Sequence, residues 1–128
     1  MADDLYDAPG VKELFKELWT KSPLDAEGSA WLLRITQPWS YRLIGFKRGE
    51  ASHVNIGKAP PGVVAQLHTH PTKLDPKPST RDSDGGKGDW GAAVKLGLPV
   101  YVLSIWAIWK IMPNQKEPTI VQVAKDWL

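Results

Sequence analysis

The order of patterned segments along the chain predicts an α+β fold in which a mixed β-sheet lies between helices. Three observations carry that expectation. Residues Val11 to Lys21 repeat apolar side chains at helical spacing. Strand-like runs follow, the third of them ending in the histidines at 68 and 70. A shorter helical stretch from Asp89 then leads into a last group of apolar, β-branched runs. At 128 residues the chain can bury one core and is too short for two, so residues 1–128 are expected to form a single domain.

The first helix should start after Pro9-Gly10 and stop before Pro23. Within it Val11, Leu14, Phe15, Leu18 and Trp19 share one face, while Lys12, Glu13, Lys16 and Glu17 fill the other. Residues 1–10, ahead of it, are expected to be flexible. Ala30 to Thr36 and Tyr41 to Phe46 read as strands joined through Gln37-Pro38-Trp39-Ser40, with Lys47-Arg48-Gly49-Glu50 as a turn. Ala59-Pro60-Pro61-Gly62 punctuates the approach to a third strand, Val63 to His70. Pro71 to Gly88 holds three prolines and three glycines, so no regular element is expected there. A helix restarts at Asp89, with Trp90, Ala93, Val94 and Leu96 as its apolar face, and ends at Gly97 before Pro99. Val100 to Trp106 has the pattern of a buried strand. Ala107 to Ile111 either continues it or returns beside it, and Thr119 to Ala124 supplies the last strand.

Composition excludes several classes of protein. A hydrophobic fraction of 42% and a charged fraction of 23% belong to a globular chain. The net charge of +2 is mild and the lysines and arginines are scattered, which argues against nucleic acid as the main partner. With no cysteine there is no disulfide framework. The acidic start Met1-Ala2-Asp3-Asp4 is not a secretory signal, and Leu98 to Met112 is too short and too interrupted to span a bilayer, so a soluble molecule is expected.

The chemistry centres on His68 and His70. On a strand, residues two apart project from the same face, so both imidazoles can grip one metal ion. Only three histidines are present, and His53 stands in a polar segment with no evident role. A tight zinc site must therefore combine this pair with carboxylates, leaving a position for water. Taken singly, each piece has a plainer explanation. Two histidines on a strand are often hydrogen-bonded surface groups, Ser79-x-x-Asp82 is as readily a variant capping box, and Trp19, Trp31, Trp106 and Trp109 lie in apolar runs where core packing accounts for them.

The conjunction of these features is more specific. Gln66 to Asp89, QLHTHPTKLDPKPSTRDSDGGKGD, resembles the signature of the JAMM (JAB/MPN) metallopeptidases: H-x-H, a short loop, then S-x-x-D, with a glutamate upstream. Gly88 to Ser104, GDWGAAVKLGLPVYVLS, and the Ile108-Trp109-Lys110 beyond it look like the helix and next strand of small JAB-like domains, which often end Rhs-type and other polymorphic bacterial toxins. The resemblance covers roughly Glu27 to Lys110. It implies a JAB/MPN-like, cytidine-deaminase-like architecture and a zinc-dependent hydrolase of peptide or isopeptide bonds, acting through a metal-activated water.

By the same resemblance His68 and His70 are metal ligands, Glu27 is the general base and acid, and Ser79 donates a hydrogen bond to the oxyanion. Glu50 competes for the base and Ser83 for the donor. The third protein ligand is Asp82 by the S-x-x-D spacing. Asp89 is preferred because the family's aspartate opens a helix, and Gly85, Gly86 and Gly88 oppose helix propagation after Asp82 by about 1 kcal/mol each relative to alanine. The implied partners are a protein or peptide substrate and an immunity protein, with delivery as the tail of a larger bacterial protein. Two other readings stay open. One is a catalytically silent scaffold of the same fold that binds a protein partner. The other is a nucleic-acid-directed toxin using Lys73, Lys77 and Arg81.

Overall fold

The computed structural model describes residues 4–22, 26–36, 39–49, 58–70, 89–115 and 117–123. Ser79, Asp82, Ser83, Glu50 and His53, with the whole segment expected to be irregular, lie outside them. Among the described residues the fold is α+β, with two α-helices and a mixed six-stranded sheet. Helix α1 spans Val11–Lys21, and its apolar stripe buries Val11, Phe15 and Leu18. It stops where Ser22 turns extended: the Ser22 N–H and hydroxyl both donate to the Leu18 carbonyl, at 3.0 and 2.6 Å, which satisfies an acceptor the helix end would leave open.

The strands are β1 (Gly28–Thr36), β2 (Trp39–Arg48), β3 (Val63–Thr69), β4 (Val100–Leu103), β5 (Ala107–Ile111) and β6 (Thr119–Val123). They lie in the order β2-β1-β3-β4-β5-β6. Every neighbouring pair is antiparallel except β3 and β4, which run parallel. A parallel pair needs a long crossover, and that connection carries helix α2, Asp89–Leu96.

Strand alternation divides the sheet into two faces. Ala30 and Leu32 of β1, Ala65 and Leu67 of β3, and Tyr101 and Leu103 of β4 pack with α1 in the main core. The residues between them face α2, where Val100, Val102 and Ile111 pack with Ala93. Gln66, His68 and His70 belong to this second face by the same alternation. An extra residue in β2 opposite Ser29 to Trp31 forms a bulge, with Gly45 at a φ of +66°. A Cβ there would press within 3.0 Å of the Trp31 ring, so glycine serves both the backbone angle and the seating of Trp31.

Several expectations need correction. Residues 4–10 are docked where flexibility was expected: Leu5–Asp7 forms a 3-10 turn, and Tyr6 is only 2% exposed. Tyr6, Phe15 and Tyr101 meet edge to face with centroids 5.1 and 5.2 Å apart. The Asp4 carboxylate anchors the segment by accepting from the Tyr6 N–H (2.9 Å), the Tyr101 hydroxyl (2.7 Å) and the Lys110 ammonium (2.7 Å). The strand expected to run to Trp106 ends at Leu103, because Ser104 closes a tight turn into β5. Trp106 is consequently 64% exposed and no part of the core. Val94, assigned to the buried face of α2, is 49% exposed, since eight residues wind through only about two turns and the buried stripe follows Ala93. Among the described residues no helix is long and apolar enough to cross a membrane.

Candidate metal centre

The sheet brings together one end of several strands. The antiparallel register pairs Ser29 of β1 with His68 of β3. Carried two residues further, that register sets Glu27 beside His70. Backbone bonds hold both positions from outside: the Glu27 carbonyl accepts from the Gly49 N–H at 2.7 Å, just past β2, and the His70 N–H donates to the Leu103 carbonyl of β4 at 2.8 Å. Between them the Gly28 N–H donates to the Thr69 hydroxyl at 2.9 Å. Gly28 also lies against the end of α1, and a Cβ on it would overlap the Ser22 side chain. Glycine is thus what lets the helix end pack against the start of β1, directly beside Glu27.

Glu27, His68 and His70 are 6, 5 and 8% exposed. The two imidazole centroids are 5.4 Å apart with their planes inclined at 42°. One ligand atom from each of the three side chains lies within 4.8 Å of the other two, so the group is able to hold a metal ion. Removing a carboxylate and two imidazoles from water is costly unless they are paired, and a cation held between them would offset part of that cost. Two histidines with one carboxylate suit zinc and several other divalent ions.

Gln66 prepares His68 for such a role. Its side-chain N–H donates to the Leu67 carbonyl at 2.8 Å, which fixes the amide so that its oxygen faces His68 Nδ1 at 3.0 Å. An oxygen can only accept, so this contact favours the tautomer with the proton on Nδ1, in which the neutral ring has its lone pair on Nε2. Outer partners of this kind commonly fix the tautomer and orientation of a metal-binding histidine. Gln66 is fully buried on the same face as the histidines. Sequence reasoning missed it, although a polar residue two positions before His68 in an apolar strand was a usable signal.

Of the expected site residues, the structure brings together Glu27, His68 and His70. Asp89 is the first residue of α2, as expected for a residue that opens that helix. Ser79, Ser83, Asp82 and Glu50 fall outside the described residues. No family model matches the chain, and no curated protein or solved structure does so.

Proposed function

We propose that the chain is a zinc-dependent hydrolase of peptide or isopeptide bonds with a JAB/MPN-like architecture. The observation that carries the reading is the convergence of Glu27, His68 and His70 from two strands into one buried group. Support comes also from the Gln66 amide oxygen 3.0 Å from His68 Nδ1 and from the strand order, which sets a parallel pair joined through α2 beside that group. His68 and His70 hold the ion, with Asp89 or Asp82 as third protein ligand. Zinc held there would supply Lewis acidity and lower the pKa of a water to about 7. Glu27 takes the proton of the attacking water. As the water oxygen adds to the carbonyl carbon and the C–N bond breaks, Glu27 returns that proton to the amine nitrogen. Ser79 steadies the oxyanion on this reading. A role as the effector domain of a larger bacterial protein, opposed by an immunity protein, fits the small size and the Rhs-type resemblance.

The test is zinc stoichiometry and amide hydrolysis for the wild type, Glu27→Gln and His68→Ala/His70→Ala. One zinc per wild-type chain is expected, with a higher melting temperature in its presence. The double variant should lose the metal. Glu27→Gln should keep it and lose about 10²-fold or more in rate. Loss of zinc from Glu27→Gln would make Glu27 a ligand, and a wild-type chain that takes up no zinc would end the proposal.

A further inference from the structure

The β4–β5 turn beside the metal centre carries two apolar side chains that neither the core nor the turn requires. Leu103 pairs with Ile108, so the connection is a tight one closed by Ser104 and Ala107, with Ile105 and Trp106 at its tip. Tight hairpin turns favour glycine or asparagine, residues that accept positive φ. Neither Ile105 nor Trp106 takes a positive φ, and Ser104 stabilises the turn instead. Its hydroxyl donates to the Ala107 carbonyl at 2.9 Å and accepts from the N–H groups of Trp106 and Ala107 at 3.2 and 3.1 Å, while its own N–H donates to the Ala107 carbonyl at 3.1 Å. The tip is therefore held in one shape, yet Ile105 and Trp106 remain 37 and 64% exposed.

Its position is informative. His70 bonds to Leu103, the residue before Ser104, and β3 and β4 run parallel, so the turn lies at the same end of the sheet as the edge where Glu27 and His70 meet, starting from the neighbouring strand. A rigid indole at the rim of a site contributes contact area with little loss of side-chain freedom on binding. We infer that Ile105 and Trp106 form the specificity contact for the substrate, receiving an apolar or aromatic side chain of a peptide at one position flanking the scissile amide. This rests on the hydrolase reading above.

The experiment incubates the full-length zinc-loaded chain with a complex peptide library and maps the cleaved bonds by mass spectrometry. Wild type should show apolar and aromatic residues enriched at one flanking position. Trp106→Ser should keep its zinc and melting temperature but lose the enrichment, with KM for an aromatic-flanked peptide about tenfold higher, equivalent to about 1.4 kcal/mol, and kcat little changed. Trp106→Phe should restore the preference. Ile120→Ser, which alters an exposed apolar residue on β6, should behave as wild type. Cleavage without apolar preference, or an unchanged preference in Trp106→Ser, overturns the inference and leaves the hydrolase reading standing. Absence of cleavage by the zinc-loaded wild type removes both.

Discussion

Gln66→Leu separates metal binding from folding. Gln66 is fully buried, and across the sheet its neighbours in register are Trp31 on β1 and Val100 on β4. A leucine of similar size fits that apolar setting, so the metal-free fold should change by less than about 1.5 kcal/mol. The same substitution removes the Gln66 amide oxygen that His68 Nδ1 meets 3.0 Å away. In the variant a ring that offers Nε2 to a metal must leave its Nδ1–H buried without that partner, at about 1–3 kcal/mol. Outer-partner losses at histidine ligands typically weaken metal binding 10- to 100-fold, about 1.4–2.8 kcal/mol, and the two ranges agree. Competition against a chromogenic chelator measures zinc affinity, and thermal unfolding of the metal-free chain measures the fold. An unchanged zinc affinity in a natively folded Gln66→Leu variant would refute the idea that Gln66 prepares His68.

Four further outcomes can be measured on other residues. Asp4→Ala should lower the melting temperature by roughly 5–10 °C, from about 1.5–3 kcal/mol for charge-assisted bonds at a partly buried carboxylate. Burial pushes the Asp4 carboxyl up, but Lys110, the Tyr6 N–H and the Tyr101 hydroxyl outweigh it and hold its pKa below the ordinary 3.8. Its stabilisation is therefore present above about pH 4 and is lost as pH falls through the folded value, a dependence that Asp4→Ala should flatten in acid titrations. Burial raises the Tyr101 hydroxyl, as do Asp4 and Asp7, so its stabilisation is present below the ordinary value of 10.0 and disappears at higher pH; Tyr101→Phe should remove that alkaline limb. Gly28→Ala should push the Ser22 side chain away from the start of β1, beside Glu27, costing about 1–3 kcal/mol in chemical denaturation together with a loss of zinc affinity. Finally, Asp89→Ala should weaken zinc binding while Asp82→Ala should not, and the opposite pattern in a chelator titration would assign the ligand to Asp82.

Helix α1 was readable to the residue because its signals are local: a 3.6-residue repeat, Pro9-Gly10 before it and Pro23 after it. The histidine strand was legible for the same reason, since a period of two puts His68 and His70 on one face whatever surrounds them. Glu27 was placed from its position ahead of a strand and through a family resemblance. That it lies beside His70 depends on an antiparallel register spanning some forty residues, which no local pattern encodes.

By itself, the sequence located α1, α2 and the strand runs to within a few residues at their ends, because periodicity and turn chemistry act over that range. Only the tertiary structure decided the order of the strands, the role of Gln66, the docking of Asp4 onto Tyr101 and Lys110, and the exposure of Trp106. Trp106 shows the physical reason. Its apolar run favours burial, but the hydroxyl of Ser104 turns the chain two residues earlier, and the energy of that turn and of pairing β5 with β4 outweighs what burying one indole would contribute.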